Sequence, residues 1–295
     1  MSFPQILENY RQRAEAALEE QFKTIEGPPQ LLEAMNYSLM AGGKRVRAIM
    51  LLAARELFAF KEGDPRPEPA ACALEFIHTY SLIHDDLPAM DNDDFRRGKP
   101  SCHKAFGEAL AILAGDALLT EAFGLVARSM LGQNSTLCAY VLTELAYAAG
   151  AGGMVGGQVI DTLETGKNIT REPLETMHSL KTGALLLAPV KIGALMGGAD
   201  EKEMSALIAY GRKTGLAFQV VDDYLDVIAD EKELGKSKGK DAAQGKTTFV
   251  TLMGVEGARD YARTLTQEAI QAIEIFRGRA EALRELAAFI SSRTY

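Results

Sequence analysis

The chain has 295 residues, of which 47% are hydrophobic, 32 are Lys or Arg, and 40 are Asp or Glu. The formal net charge of −8 argues against a general basic surface for nucleic acid and against a polybasic membrane anchor. Three cysteines without a CxxC pair exclude a disulfide framework and a thiolate zinc site. Because we find neither a signal-peptide pattern nor a run long enough to span a membrane, we expect a soluble, cytoplasmic protein with reduced thiols.

Apolar residues recur with a helical period along most of the chain. Examples are Leu110, Leu113, Ala117, Leu118 and Phe123, and later Leu265, Ala269, Ile273 and Phe276. Glycine- and proline-rich breaks leave roughly ten helical segments; these breaks are 27–29, 61–69, 98–100, 132–135, 166–173, 197–200 and 235–245. The pattern predicts an all-α fold in which residues 1–295 form a single large helical-bundle domain.

The small residues between Ala148 and Gly153 allow two interpretations. They can let helices pack closely, or they can leave room for a ligand channel.

Eight aspartates lie in two short clusters, and without them the acidic residues equal the basic ones in number. The first cluster comprises Asp85, Asp86, Asp91, Asp93 and Asp94; the second comprises Asp222, Asp223 and Asp226. Asp222 and Asp226 are four residues apart, so a helix places them on one face. Clustered carboxylates repel each other unless a cation joins them, and Mg²⁺ prefers oxygen ligands of this kind. The clusters therefore predict magnesium sites.

Basic residues near these clusters indicate the kind of ligand. Arg96 and Arg97 directly follow the first cluster, and a second basic group lies behind two glycines in GGKRVR (42–47). Arg pairs well with phosphate oxygens, and Lys adds a point charge. Magnesium together with these cations predicts a diphosphate-binding cavity between helices.

These motifs, in this order, resemble the trans-isoprenyl diphosphate synthases over nearly the whole chain, most of all the bacterial members that make farnesyl diphosphate. The resemblance rests on GGKRVR (42–47), the IHDDLPAMDNDD region within 75–116, GGQVID (156–161), HSLKTGALL (178–186), GLAFQVVDDYLD (215–226) and GKSKGKDAAQGKTT (235–248). It implies the isoprenoid synthase fold, a helical bundle around a central cavity. It also implies Mg²⁺, about three ions per site, and a homodimer.

The resemblance also assigns roles to residues. It implies that Asp85, Asp86 and Asp91 bind two Mg²⁺ ions on the allylic diphosphate, and that Asp222, Asp223 and Asp226 bind a third. The same diphosphate would also be bound by four basic residues, Arg96, Lys181, Lys236 and Lys246. The isopentenyl diphosphate site would comprise Lys44, Arg47, His78 and Arg97. Thr182 and Gln219 would flank the developing cation, and Tyr80 with Ser81 would limit the length of the product. Lys240 departs from the usual small residue, which leaves the charge around the second cluster less defined.

The implied reaction joins isopentenyl diphosphate head to tail with dimethylallyl diphosphate and then with geranyl diphosphate, giving farnesyl diphosphate. Three alternatives stay open at this point. They are a synthase of the same family with a C10 or C20 product, a class I terpene cyclase, and a non-catalytic partner subunit of a prenyl synthase.

Overall fold

A computed structural model describes residues 3–228 and 246–292 of the chain. In these residues, thirteen α-helices and one two-stranded hairpin confirm the predicted all-α fold. The helices are α1 (Gln5–Phe22), α2 (Pro29–Leu39), α3 (Val46–Arg55), α4 (Glu68–Asp85), α5 (Cys102–Phe106), α6 (Glu108–Met130), α7 (Ser135–Ala149), α8 (Met154–Glu164), α9 (Arg171–His178), α10 (Ala184–Gly197), α11 (Glu201–Ile228), α12 (Phe249–Ala272) and α13 (Glu281–Ser292). A π-helix (Ser179–Gly183) joins α9 to α10, and a 3-10 helix (Glu274–Ala280) joins α12 to α13.

Most predicted breaks coincide with helix boundaries. Proline at the first helical position begins α2 at Pro29, where the missing N–H costs nothing. The break at 98–100 covers the end of the turn and the second strand of a hairpin formed by β1 (Phe95–Arg96) and β2 (Lys99–Pro100). The predicted break at 235–245 lies outside the described residues.

The small-residue run 148–153 forms the corner between α7 and α8. Gly150 ends α7 and Gly153 precedes α8. A Cβ atom on Gly153 would lie 2.3 Å from the carbonyl oxygen of Ala148, so only glycine fits this corner. The run therefore does not line a channel itself, but it places the first turn of α8 beside one.

Helix α4 forms the centre of the bundle. Every residue from Glu68 to Ile77 is buried, which is typical of a helix surrounded on all sides by other helices. Its N-terminal half packs in a core shared mainly with α1, α2, α6 and α7. Its C-terminal end, at Asp85, emerges from this core at the cavity described below.

The described part of the chain has two further cores. One lies between α3, α10, α11 and α13, and the other between α9, α11 and α12. The predicted periodic residues Leu265, Ala269, Ile273 and Phe276 are all buried there. Because α11 belongs to both cores, its buried face fixes the second aspartate cluster relative to the rest of the bundle.

Helices α6 and α7 leave apolar side chains on the surface. Leu113 is 55% exposed although its helical period predicted a core position, and Tyr140 and Tyr147 are similarly exposed. Within residues 3–228 and 246–292, two segments, Glu108–Met130 and Arg171–Gly197, are long and apolar enough to cross a membrane by length and composition alone. The second is mostly buried inside the bundle, as expected for the core helix of a globular protein.

Candidate active site

A cavity of about 870 Å³ opens among α4, α8, the π-helix and α11. Its charged lining comprises the carboxylates Asp85, Asp91, Asp93, Asp222, Asp223 and Asp226 and the cations Arg47, Arg96, Lys181 and Lys246. Tyr80, Met154, Val159 and Leu163 belong to its apolar lining. The fold thus brings together residues that the sequence keeps far apart, and it places apolar surface next to the charged groups.

The first aspartate cluster folds back on the end of α4. The backbone N–H of Asp91 donates to the carbonyl of Asp85 at 2.9 Å, and this turn keeps both carboxylates at the cavity. Burial raises the pKa of Asp85 to about 6, and the neighbouring charge of Asp91 adds to the rise while Lys181 opposes it. A carboxyl group whose charge is disfavoured in this way gains from a bound cation.

Asp86 differs from the other predicted ligands. It is only 2% exposed, lies outside the lining of the main cavity, and accepts a hydrogen bond from Arg96 Nε at 3.0 Å. Arg96 Nη2 also lies 3.4 Å from Asp93 Oδ2. In the structure Asp86 therefore holds Arg96 at the cavity, and its role as a metal ligand stays a prediction.

The second aspartate cluster lies on α11, where Asp222 and Asp226 share one face as predicted. Asp223 accepts hydrogen bonds from Gln219 Nε2 at 2.9 Å and from the backbone N–H of Phe249 at 2.8 Å. Asp223 thereby fixes both the Gln219 side chain and the first turn of α12.

The π-helix brings Lys181 and Thr182 to the cavity. Thr182 Oγ1 donates to Gln219 Oε1 at 3.1 Å, so the two residues predicted to flank the cation are in direct contact. The π-helix lies so close to α8 that a Cβ atom on Gly157 would be 2.1 Å from the backbone nitrogen of Lys181. Glycine at position 157 is therefore what allows the two segments to touch.

Asp161, which is not among the predicted site residues, holds two of the predicted lysines. Its Oδ2 lies 2.5 Å from Lys181 Nζ and 3.6 Å from Lys246 Nζ. Burial disfavours the Asp161 charge, but the two lysines hold its pKa below the ordinary value. The only sequence signal was its place in the GGQVID motif, since no local spacing pairs it with lysines 20 and 85 positions later.

The predicted isopentenyl diphosphate residues form a positive region beside the aspartates. Arg47 and His78 line the cavity, and burial lowers the pKa of both, with the charge of Arg97 adding to the effect. Among the described residues, Arg47 Nε and His78 Nδ1 are buried without a hydrogen-bond partner. Buried cations and donors in this state favour an anion as their partner.

Arg97 and Lys44 lie outside the main cavity lining. Arg97 has a positive φ of 54° and its guanidinium covers Gly43, where a Cβ atom would lie 2.8 Å from Arg97 Cζ. Lys44 Nζ lies 4.7 Å from the centre of the Phe289 ring in α13. Lys236, the remaining predicted site residue, lies outside the described residues.

The carboxylates fit magnesium when a diphosphate shares its coordination. In residues 3–228 and 246–292, no three His, Cys, Asp or Glu side chains already converge on one metal position. Mg²⁺ is usually held by one or two carboxylates with phosphate oxygens and water completing the shell. Asp85 with Asp91, and Asp222 with Asp226, provide two such partial sets.

Comparison with known proteins places this bundle and its cavity among the prenyltransferases. Residues 28–286 match the model of the polyprenyl synthetase family, and the chain belongs to that family. It is 46% identical to a farnesyl diphosphate synthase of Geobacillus stearothermophilus over 88% of this chain and 87% of that protein. It is 47% identical to a geranylgeranyl diphosphate synthase of Cyanophora paradoxa over 90% of this chain and 88% of that protein.

A solved structure agrees with both fold and cofactor. The geranyltransferase from Helicobacter pylori, complexed with magnesium and isoprenyl diphosphate, superposes with a TM-score of 0.83, 33% identity and coverage of 99% of each chain. The isoprenoid synthase fold expected from the sequence is therefore confirmed, and magnesium is a ligand within this family.

Proposed function

We propose that residues 1–295 act as one catalytic domain that makes farnesyl diphosphate. The domain would join isopentenyl diphosphate first to dimethylallyl diphosphate and then to geranyl diphosphate. Relatives named for C15 and C20 products are equally similar to this chain, so similarity does not choose between these products. The observation that supports C15 is the Tyr80 ring in the cavity lining, close to the Asp85 end of α4.

The charged residues would bind the allylic diphosphate. Asp85 with Asp91 and Asp222 with Asp226 would hold up to three Mg²⁺ ions, which supply positive charge against the leaving diphosphate. Arg96, Lys181 and Lys246 line the same cavity and add fixed cationic donors. Lys236, which lies outside the described residues, remains part of the proposed diphosphate-binding set. Lys181 and Lys246 are already held by Asp161, so little reorganisation is needed when the leaving group gains charge.

The positive region would bind isopentenyl diphosphate. Arg47 and His78 line the cavity, and Arg97 and Lys44, which lie outside its lining, would complete the set. This arrangement would set the alkene of the second substrate against the allylic carbon, and such positioning is the main requirement for carbon–carbon bond formation here. No side-chain nucleophile is needed, because the alkene attacks the cation.

Polar oxygens and an apolar wall would protect the allylic cation. The contact between Thr182 and Gln219 places oxygen dipoles at the cavity. Met154, Val159 and Leu163 line the cavity, and Val159 and Leu163 are 52% and 63% exposed. A bound substrate tail would cover this apolar surface and so exclude the water that would otherwise quench the cation. The departed diphosphate would then take the proton that ends each addition.

Tyr80 and Ser81 would set the product length. Burial of five more carbons favours growth by about 4 kcal/mol at about 0.8 kcal/mol per methylene, so a steric wall must stop elongation at C15. Tyr80 and Ser81 both line the cavity on α4, and Tyr80 is the larger of the two. Burial and the charge of Asp85 raise the pKa of Tyr80, so its ring stays neutral.

Chromatography of dephosphorylated products from wild type and two variants tests this assignment. Wild type is expected to give C15, Tyr80→Ala to give C20 or longer, and Ser81→Phe to shift the product toward C10. A wild-type product that is mainly C20, or an unchanged C15 product from active Tyr80→Ala, would contradict the proposal. The length series also excludes a cyclase, which would release cyclic hydrocarbon, and an inactive subunit, which would release nothing.

The proposed assembly is a homodimer in the cytoplasm. Exposed Leu113, Tyr140 and Tyr147 give α6 and α7 an apolar surface suited to a self-complementary contact. The three cysteines are free thiols in the structure and are buried, which suits a reducing compartment. Light scattering is expected to give twice the chain mass, and Tyr140→Glu to shift it toward the monomer. Ile275→Glu, on the 3-10 helix, serves as the control.

A further inference from the structure

The Tyr80 ring does not stand alone in the cavity wall. It packs against the His84 ring one helical turn further along α4, with ring centres 4.9 Å apart and an interplanar angle of 76°. This edge-to-face arrangement is the favourable one for two aromatic rings. His84 lies directly before Asp85 and also lines the cavity, so it sits between the product-length residue and the metal-binding end of α4.

His84 is in turn anchored on α6. Its Nε2 lies 3.1 Å from the carbonyl oxygen of Ile112 and 3.8 Å from Asp116 Oδ1. The ring can approach this closely because position 115 is glycine. A Cβ atom there would lie 2.3 Å from His84 Nε2 and 2.5 Å from His84 Cδ2, well inside any real contact.

We propose that His84 is a positioning residue for product length. Its ring lies against the backbone of α6 at Gly115 and supports the Tyr80 ring from that side. The anchored imidazole blocks the space into which the Tyr80 ring would otherwise rotate. The wall that stops elongation is then a pair of rings supported by a neighbouring helix and not a single side chain. This inference rests on the proposed C15 function, because it explains what keeps that wall in place.

The contact with His84 opposes displacement of the Tyr80 ring by a longer product tail. A growing product tail buries more apolar surface with each added unit. A phenol ring that was free to rotate would therefore be displaced by the tail. The Tyr80 ring resists that displacement because it contacts the His84 ring, and His84 is itself held by a hydrogen bond to the α6 backbone. Moving both rings breaks the edge-to-face contact and leaves the His84 nitrogen without its partner.

The experiment measures the ratio of C20 to C15 products, which is independent of total rate. His84→Ala removes both ring and anchor, and the ratio is expected to rise by about tenfold or more, equivalent to about 1.4 kcal/mol. His84→Gln retains an amide that can reach the Ile112 carbonyl, so it is expected to keep more C15 product than His84→Ala. Gly115→Ala leaves His84 intact but displaces it from α6, and is expected to raise the ratio as well.

Gly124→Ala, also on α6, is the matched control. A Cβ atom there meets first the flexible end of Arg128, so the product is expected to stay at C15. If wild type makes C15 and both His84→Ala and Gly115→Ala leave the ratio of C20 to C15 products unchanged, the positioning role of His84 is refuted while the proposed function stands. If wild type itself makes mainly C20, the proposed function fails first. Should His84→Ala not fold, as judged by thermal melting, Gly115→Ala decides the outcome.

Discussion

Replacing Gly157 by alanine is expected to damage catalysis although position 157 carries no functional group. A Cβ atom there would lie 2.1 Å from the backbone nitrogen of Lys181 and 2.5 Å from its Cα. Ordinary contacts begin at 3.4 Å. Both partners are backbone, so neither can move aside as a flexible side chain would. Helix α8 and the π-helix must therefore separate by about 1 Å or more.

The separation displaces Lys181 and Thr182 together. A misplacement of about 1 Å can cost about 100-fold in rate, so we expect kcat to fall by about that factor, or about 2.7 kcal/mol. Overpacking is also expected to lower the free energy of unfolding by about 1–3 kcal/mol. In a chain of this length the loss corresponds to a drop in Tm of about 2–6 °C.

Steady-state kinetics with isopentenyl and geranyl diphosphates and a thermal melt measure both effects. Gly278→Ala is the matched control, because no atom lies within 4 Å of the Cβ position there, and it should behave as wild type within about 0.5 kcal/mol. If Gly157→Ala keeps kcat within twofold of wild type and melts at the same temperature, the tight contact does not position Lys181.

Further predictions concern single side chains. Asp85→Ala is expected to lower kcat/KM by more than about tenfold, since it removes a metal ligand; a smaller loss in steady-state assays would exclude that role. Arg97→Ala should raise the KM of isopentenyl diphosphate more than that of the allylic substrate, and Arg96→Ala the reverse, whereas equal changes in both variants would disprove the two-site assignment. Burial lowers the pKa of His178 to about 4 from its ordinary value of 6.5. The unfolded chain therefore binds the proton first, and the free energy of unfolding should fall by up to about 3 kcal/mol as pH drops from about 6.5 to about 4. Urea unfolding of His178→Phe should show a loss in free energy of unfolding over this pH range that is smaller by the same amount. An identical pH dependence in wild type and variant would contradict the role of His178.

Local patterns in the sequence predicted the helices and much of the polar cavity lining. Helical periodicity and proline or glycine breaks depend on neighbouring residues, so they could be read directly. Asp222 and Asp226 share a face because a helix fixes that relation. The cavity position of Asp91 agrees with its predicted role, but the backbone turn that returns it to Asp85 has no such local signal.

Partners distant in the sequence could not be predicted. Asp161 meets Lys181 only because α8 packs on the π-helix, and Asp86 faces Arg96 only because the chain turns back after α4. Leu113 fits the helical period and yet is exposed, because a second apolar face on α6 has the same pattern as a core face. Each case depends on how helices pack, which residue spacing does not specify.

One assay tests the metal-dependent elongation of an allylic diphosphate most directly. Labelled isopentenyl diphosphate is incubated with dimethylallyl diphosphate and the full chain, with Mg²⁺ or with excess chelator, and the dephosphorylated products are separated by length. We predict linear C10 and C15 products with Mg²⁺ and none with chelator, because uncompensated carboxylates would repel the diphosphate. Substantial elongation in chelator, or no linear product with Mg²⁺, would contradict the account.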